Sequence, residues 1–413
     1  MKPAAPVVGA PTPRPPSPAP KAGSLLRGPF AALCLSTFGL YTSLMMFLST
    51  LPLYAADHLR LGQAQIGAVI GAFAFFAMLC KPHAGWGLDA LGRRPVLLAG
   101  AAIFPAASAL YAAAGAGWSL LLVRALHGVG MGLYPTAGAA VVADLVPPGR
   151  RGEGMGYFSA TGSLAFAVAP VLGTAVADAS SFPVMCLAAA AIALGSLALA
   201  WRIPETGVRV STPLPPLTVD GLFSRRALLP SAVLFCLFLG YGGILIFFPL
   251  MARQVGLRNP GWFFTAVAVV ILVLRAKGGS LSDRFGRVAV IVPSLVCSGL
   301  AVGVLGFLRS PGAALAAGCL FAAGFGMASP ALMAMATDGV RPEERGRAMG
   351  TLQTAWEMGI AGGGVILGQV LSWSGGNFGL AYAVAGAVSI AGAALALARG
   401  RRGRGPATRD GVR

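Results

Sequence analysis

The feature that most constrains this chain is a series of apolar stretches, each close to the ~20 residues that an α-helix needs to cross a bilayer. Inside lipid, backbone polar groups must find partners within their own segment, so such stretches predict helices. Short polar segments separate them. The sequence therefore predicts an all-α membrane protein with twelve transmembrane helices, at residues 29–55, 64–86, 95–114, 118–144, 156–176, 181–203, 229–252, 260–280, 288–308, 312–336, 350–371 and 377–398.

Composition supports lipid as the solvent and argues against other classes of protein. Only 11% of the 413 residues are charged, against ~25% in soluble domains. The net charge of +18 would suit nucleic acid, but the basic residues lie in short segments between apolar stretches, so we expect no nucleic-acid partner. The six cysteines lie in apolar stretches without metal-ligand spacing, and we expect no metal, cofactor or catalytic residue.

The distribution of arginine predicts the orientation. One set of alternate loops holds many arginines, whereas the other holds only Arg60, Arg253, Arg258 and Arg309. Positive loops stay in the cytoplasm, so both termini are predicted to be cytoplasmic, in a bacterial inner membrane. Residues 1–28 and 399–413 are predicted to be cytoplasmic tails, the first of them disordered.

An internal repeat divides the chain into two halves. Gly85, Asp89, Gly92 and Arg93 recur 194 positions later as Gly279, Asp283, Gly286 and Arg287. The same offset carries Asp144 onto Asp338 and Lys81 onto the basic Arg275. The sequence thus predicts two pseudo-symmetric six-helix bundles, residues 29–203 and 229–398, joined by a cytoplasmic linker at 204–228. Parallel repeats of this kind place a binding site near the midplane, at their interface.

The two repeated segments also carry a family resemblance. Gly85-Trp-Gly-Leu-Asp89-Ala-Leu-Gly92-Arg93-Arg94 and Gly279-Ser-Leu-Ser-Asp283-Arg284-Phe-Gly286-Arg287 resemble the signature loop G-x-L-x-D-R-x-G-R-R of the major facilitator superfamily. They depart from it at Gly87, Ala90 and Val288. The resemblance implies the major facilitator fold. We predict that the glycines form the tight reversal and that the acids pair with loop arginines in a cytoplasmic gate between the halves. The alternative is a turn that only connects two helices.

A buried charge in the fourth span is a candidate for proton coupling. Arg124, followed by His127 and a glycine-rich run, resembles a superfamily motif whose arginine is linked to proton coupling. A charge at the centre of a membrane helix costs ~2.5–3.5 kcal/mol, and His127 shares its face. The family commonly has Gln at the position of His127, and a packing role is the alternative for this residue.

The fifth span contains Ala169-Pro170-Val-Leu-Gly173, similar to the Gly-Pro-x-x-Gly motif of the superfamily's exporters. Pro170 removes a backbone hydrogen bond and bends the helix, and Gly173 admits a close neighbour. Ala169 and Thr174 stand where the motif has glycine. An ordinary proline kink remains the alternative.

Glu357, in the eleventh span, is the one acid predicted to lie well inside the membrane. It is a candidate for proton or substrate binding, or for a structural ion pair with Lys81, Arg124 or Arg275. We predict that Lys81 and Arg275 extend to the cytoplasmic surface, with contact to a substrate as the alternative, and that Asp144 and Asp338 pair with loop arginines. Candidate cavity-lining residues are Tyr41, Tyr134, Tyr241, Phe247, Phe325 and Gln353.

The sequence as a whole predicts a secondary transporter that works as a monomer. It shows no nucleotide-binding loop or catalytic triad, so we expect a proton gradient to supply the energy for transport. Short matches at residues 49–54, 247–250 and 204–206 look like the bacterial drug:proton antiporters, which favours efflux of a small organic compound. The alternatives are proton-coupled uptake of a small metabolite, anionic in character, and a membrane sensor or scaffold that transports nothing.

Overall fold

The computed structural model describes residues 28–207, 224–338, 340–341 and 344–402. These ranges form twelve helices of 19 to 30 residues and contain no strand. Short 3-10 helices, Pro148–Arg150 and Arg225–Ala227, precede α5 and α7. The helices are α1 Gly28–Asp57, α2 Gln63–Leu91, α3 Arg93–Ala112, α4 Gly117–Leu145, α5 Arg151–Ala179, α6 Phe182–Trp201, α7 Leu228–Gln254, α8 Gly261–Phe285, α9 Arg287–Leu305, α10 Pro311–Thr337, α11 Arg345–Trp373 and α12 Phe378–Arg402.

The helices form two groups with the same pattern of neighbours. In the first bundle, α1 packs on α5 and α6, α4 packs on α2 and α3, and α3 also packs on α6. In the second, α7 packs on α11 and α12, α10 packs on α8 and α9, and α9 also packs on α12. The bundles meet where α2 packs on α11 and α5 packs on α8. The predicted fold, two pseudo-symmetric six-helix bundles, is confirmed.

Length and apolar composition make nine of the described helices able to cross a membrane, and α8 becomes the tenth when its two segments, bent by 41° between Arg275 and Lys277, count as one span. The other two are α4 and α11, which carry Arg124 and Glu357. Composition alone therefore supports ten of the twelve predicted spans, and the two it leaves out hold the candidate functional charges.

The local sequence explains where several helices begin. Ser310 precedes α10 and its hydroxyl accepts a hydrogen bond from the Ala313 backbone N–H at 3.3 Å. Pro311 takes the first helical position, where no backbone N–H is needed. Ser181 caps α6 in the same way through Val184.

The chain reverses later than the sequence predicts. Gly85 and Asp89 lie inside the last turns of α2, and Gly92 alone makes the turn, with φ of 99°, a value that glycine adopts without strain. The helix extends beyond its apolar stretch, because its backbone hydrogen bonding continues into the polar residues that follow. The second half repeats this: Gly279, Asp283 and Arg284 lie inside α8, and Gly286 turns the chain with φ of 92°.

The predicted tails and linker fall partly outside the described residues. Helix α1 begins at Gly28 and α12 continues to Arg402, so residues 1–27 and 403–413 are outside the description. Of the linker predicted at 204–228, residues 208–223 are also outside it.

The two bundles touch closely at one end. We call the end where α2 meets α3 and α8 meets α9 the basic end, and the other the opposite end. Near the opposite end, a Cβ added to Gly67 would lie 2.0 Å from the carbonyl oxygen of Gly364. One added to Gly261, 194 positions after Gly67, would lie 2.3 Å from the backbone nitrogen of Val171. Only glycine permits these approaches between helix backbones.

Polar contacts reinforce this closure. Asp57 and Arg253, at the ends of α1 and α7, form an ion pair with an N–O distance of 2.5 Å. The hydroxyl of Thr265 on α8 donates to the carbonyl oxygen of Ala167 on α5. The structure is therefore closed between the bundles at the opposite end.

Candidate functional site

A cavity of about 260 Å³ lies between the bundles, near the middle of the helices. Packed backbone separates it from the opposite end. It is smaller than the pockets of about 300–1,000 Å³ that take drug-sized ligands. Residues from α1, α5, α7, α8, α10 and α11 line it: Thr37, Tyr41, Phe158, Ser159, Gly162, Ser163, Phe166, Tyr241, Ala268, Ile271, Arg275, Phe325 and Trp356.

Aromatic rings form much of the cavity wall. The centroids of Tyr241 and Phe325 lie 4.7 Å apart, and Phe238, behind the wall, packs on Trp356 at 4.4 Å. Among the described residues that line the cavity, Arg275 is the single charged one. The wall thus offers flat apolar faces and one cation, which suits a small organic molecule better than a bare ion.

An ion pair joins the bundles beside this cavity. Lys81 Nζ on α2 lies 2.5 Å from Glu357 Oε1 on α11, with the two side chains 24% and 9% exposed. Lys81 is ten residues from the end of α2 and Glu357 twelve from the start of α11, so both lie about 15–18 Å along their helices. The pair is next to the cavity, because Glu357 interacts electrostatically with Tyr41, which lines it.

This pair decides two questions that the sequence left open. Lys81 does not extend to the surface, and that prediction is wrong: an opposite charge at the same depth holds its ammonium group. The ion pair considered for Glu357 exists, and its partner is Lys81 instead of Arg124 or Arg275.

We call the contact between α2 and α11, and the contact between α8 and α5 that the repeat relates to it, the two crossings. The second crossing has different chemistry. Arg275 on α8 and Ser163 on α5 occupy the positions 194 residues from Lys81 and Glu357. Both line the cavity. Arg275 makes no ion pair with any residue that the structure describes. The Ser163 hydroxyl donates to the Ser159 carbonyl oxygen at 3.3 Å. Arg275 is exposed and also lines the cavity, so its position agrees with the predicted reach to the surface and with the alternative of contact with a substrate.

Arg124 and His127 lie apart from the cavity, inside the first bundle. The Arg124 side chain, 8% exposed, lies over the Phe73 ring at 4.5 Å. Its Nη1 donates to the Tyr111 hydroxyl at 3.5 Å, which lies 3.4 Å from His127 Nδ1. Arg124 Nε and His127 Nε2 have no partner among the described groups. The structure brings these two residues together, as their spacing predicts, but it does not bring them to Glu357.

Both copies of the repeated loop form the same ion-pair network. Arg93 Nε lies 3.2 Å from the Asp144 carboxylate, and Asp89 lies 3.8 Å from Arg93. The second half repeats this at Asp283, Arg287 and Asp338, where Arg287 Nε lies 2.9 Å from Asp338. The prediction that Asp144 and Asp338 pair with loop arginines is confirmed.

Each of these networks lies within one bundle. Asp89, Arg93 and Asp144 belong to the first, and Asp283, Arg287 and Asp338 to the second. The Arg284 guanidinium lies over the neighbouring Phe285 ring at 5.3 Å. A gate between the bundles therefore stays a prediction, for a conformation in which the basic end closes.

The start of the linker caps α3. The Glu205 carboxylate accepts hydrogen bonds from the backbone N–H groups of Arg93 at 2.8 Å and Arg94 at 3.2 Å. Partial burial raises the pKa of Glu205, but the backbone donors of Gly207, Arg93 and Arg94 outweigh it and hold the pKa below its usual value. An anion at a helix N-terminus also gains from the helix dipole.

Pro170 and Gly173 lie where α5 packs on α1. The Pro170 carbonyl oxygen accepts from the Ser49 hydroxyl at 2.9 Å. A Cβ on Gly173 would lie 2.3 Å from the Met46 carbonyl oxygen. Gly173 thus admits a close neighbour, as predicted.

The aromatic and amide candidates divide into two groups. Tyr41, Tyr241 and Phe325 line the cavity. The other three do not: Tyr134 is buried and lies 3.0 Å from the Thr37 hydroxyl, Phe247 is buried near Gly67, and Gln353 is exposed on α11.

Sequence reasoning missed several members of the site, Ser163 and Trp356 above all. A signal for Ser163 existed, because the repeat offset maps Glu357 onto it and Lys81 onto Arg275. Nothing in the sequence separates Trp356 from other aromatic residues on the spans.

The comparisons with known proteins agree with this architecture. The family profile of the Major Facilitator Superfamily matches residues 33–274 and 230–412. The MFS-type transporter YhhS of Escherichia coli is 25% identical over 373 residues, 87% of this chain and 90% of YhhS. The quinolone resistance protein NorA of Staphylococcus aureus is 26% identical over 148 residues, 36% of this chain and 38% of NorA. A POT family transporter crystallised with 5-aminolevulinic acid has a TM-score of 0.79 at 14% identity, covering 91% of this chain and 96% of its own.

The family profile and the match to YhhS extend over both bundles and the repeated loops. With the six-plus-six architecture and the cavity between the bundles, they show a multi-pass membrane protein that transports a small molecule and is not an enzyme. The chain belongs to the major facilitator superfamily.

Proposed function

We propose that the protein exports a small organic compound in exchange for protons, by alternating access of the cavity to the two sides of the membrane. The observation that carries this proposal is the Lys81–Glu357 ion pair, which joins the bundles beside the cavity. An ionisable pair that links two moving bodies couples their separation to its protonation state.

The charge on Glu357 would control this link. As a carboxylate it attracts Lys81 and holds α2 against α11. Once protonated it loses most of that attraction, and the two helices can part. Trp356 lines the cavity, so a bound substrate would act on the same turn of α11.

Arg124 and His127 would assist proton transfer within the first bundle. An arginine kept buried without a carboxylate is expensive in a membrane helix, which suggests a function. Tyr111 connects the two side chains. Substitution Arg124→Ala should then reduce proton-coupled transport, whereas a wild-type rate would leave Arg124 a structural role.

Two observations support export as the direction of transport. The Pro170 and Gly173 motif resembles that of exporters, and the partial relative NorA is a quinolone resistance protein. We place the protein in the inner membrane as a monomer with both termini in the cytoplasm, so the basic end faces the cytoplasm and the closed opposite end faces outward.

A second candidate function is proton-coupled uptake of a small anionic metabolite. The observation that favours it is Arg275, a cation in the cavity wall without an ion-pair partner among the described residues. An anion there and a proton on Glu357 would each offset a charge of the protein, and this favours their binding together, as in symport.

One experiment tests coupling and a second tests direction. In proteoliposomes with an entrapped pH-sensitive dye, the substrate should drive proton flux through the wild type but not through Glu357→Gln. Glu344→Gln, which removes an acid just before the same helix, should behave as wild type. Unchanged coupling in Glu357→Gln would reject the proposal.

Comparing metabolites in expressing and deletion cells by mass spectrometry gives the direction and identifies the substrate. Export predicts lower internal levels of the substrate on expression. Higher internal levels would reject export in favour of uptake.

A further inference from the structure

We infer that Arg275 binds a carboxylate of the transported compound, so that the substrate is a small aromatic monocarboxylate. This inference deepens the proposed transport function and rests on it in either direction of transport, because it names the substrate class of the same cavity.

The argument starts from the repeat. At the crossing of α2 and α11, the cation Lys81 meets the carboxylate of Glu357 at 2.5 Å. The repeat places Arg275 and Ser163 at the corresponding crossing of α8 and α5, ten residues from the end of α8 and twelve from the start of α5. One crossing therefore supplies both charges from the protein, and the other supplies only the cation.

Electrostatics favour an anion at the second crossing. Lys81 is paired by Glu357, whereas Arg275 is an exposed cation with no carboxylate beside it among the described residues, so its charge is available to an anionic ligand. Ser163 offers Arg275 only a neutral hydroxyl, and that hydroxyl already donates to Ser159. A carboxylate in the cavity would take the place that Glu357 has at the first crossing. A guanidinium can hold it through two parallel hydrogen bonds.

The rest of the cavity limits the remainder of the molecule. The residues Tyr241 and Phe325, with ring centroids 4.7 Å apart, and Trp356 line it. Planar aromatic groups pack well on such faces. A volume of about 260 Å³ excludes most drug-sized compounds. A single lining cation among the described residues matches one negative charge, which favours a carboxylate over a phosphate dianion.

Binding at equilibrium tests this without any gradient. Purified wild-type protein in detergent would be titrated by calorimetry with benzoate, phenylacetate, salicylate and indole-3-acetate, each beside its neutral carboxamide. At least one acid should bind about ten- to a hundredfold more tightly than its amide, the range for hydrogen bonds to a charged group. If no acid binds better than its amide, the inference is overturned.

Two variants locate the effect. Arg275→Gln should remove the preference for the acid over the amide. Ser163→Glu should remove it as well, because it supplies from the protein the carboxylate that the substrate otherwise brings. Lys277→Gln, which removes a charge two residues further along α8 and outside the cavity wall, should keep the preference. A preference that survives Arg275→Gln would also overturn the inference.

This result is separable from the proposed function. Acid-selective binding without proton flux in proteoliposomes would support the inference and reject proton-coupled export. Substrate-driven proton flux with no selectivity for acids would overturn the inference and leave proton coupling supported. Gel filtration of each variant confirms that it is folded before titration.

Discussion

The interiors of the two bundles differ although their helices pack alike. In the first bundle, α4 buries Arg124 and His127 beside Tyr111. At the related positions of the second bundle, 194 residues later, stand Gly318, Phe321 and Leu305. Phe263 fills the space at Gly318, because a Cβ there would lie 2.3 Å from its ring. The same helix arrangement thus encloses buried polar side chains in the first bundle and aromatic side chains at the related positions of the second.

The crossings between the bundles show a second difference. Lys81 and Glu357 form an ion pair within the protein, whereas Arg275 and Ser163 both line the cavity and form no such pair. The comparison teaches that the two halves share the positions at which their helices touch but differ in the charged residues at those positions. The following predictions test these two statements.

The largest effect is expected at the two crossings. Lys81→Met leaves Glu357 buried without its partner and should lower the free energy of unfolding by about 3–5 kcal/mol. Arg275→Met breaks no ion pair and should change it by less than about 0.5 kcal/mol. Thermal unfolding of purified protein measures both. The double variant with Glu357→Met should recover most of the loss. Equal shifts for the two single variants would show that the crossings do not differ.

The shared helix contacts predict equal effects at Gly67 and Gly261. A side chain at either would meet backbone 2.0 and 2.3 Å away, so Gly67→Val and Gly261→Val should each cost about 1–3 kcal/mol. Gly162→Ala, where nothing lies within 4 Å, is the control. An unfolding temperature that drops for only one of the two valine variants would show that the packing is not symmetric.

A smaller effect on stability separates the two interiors. His127→Phe introduces the residue found at the related position and removes a buried ring nitrogen without a partner. Stability should be unchanged or rise by about 1 kcal/mol, while substrate-driven proton flux should fall. The reciprocal Phe321→His buries an unpaired nitrogen and should cost about 1–3 kcal/mol. Full proton flux in His127→Phe would remove His127 from the proton path.

The smallest effect concerns the cap on α3. Because the pKa of Glu205 is lowered in the folded protein, its charge stabilises the fold above the pKa of the unfolded chain. That stabilisation is lost as the pH falls through the lowered pKa. Glu205→Gln should cost about 0.3–1 kcal/mol at neutral pH. The difference in unfolding temperature from the wild type should vanish in acid, and a difference independent of pH would contradict this origin.

The sequence predicts the fold well because lipid imposes a simple rule on segment length and the repeat fixes the division into bundles. Helix ends are less predictable. Asp89 lies inside α2 because the helix continues past its apolar part. The ends of a membrane helix follow hydrogen bonding as well as hydropathy.

The site is only partly predictable. Arg124 and Glu357 stand out because charges are rare in apolar helices, and Asp144 and Asp338 because they repeat. The partner of Glu357 could not be predicted from the sequence, because three cations were candidates and Lys81 is 276 positions away. Which side chains face a shared cavity depends on how two bundles dock, and that is absent from the pattern of either bundle alone.

The glycine contacts at Gly67 and Gly261 have a consequence for how salt acts on this transporter. Closure at the opposite end rests on uncharged backbone, and its one described ion pair between the bundles, Asp57 with Arg253, is half-exposed and easily screened. Raising ionic strength should therefore weaken that pair and leave the closure in place. Raised ionic strength would act instead on the contact between a bound substrate and Arg275, the charged residue among those described that line the cavity.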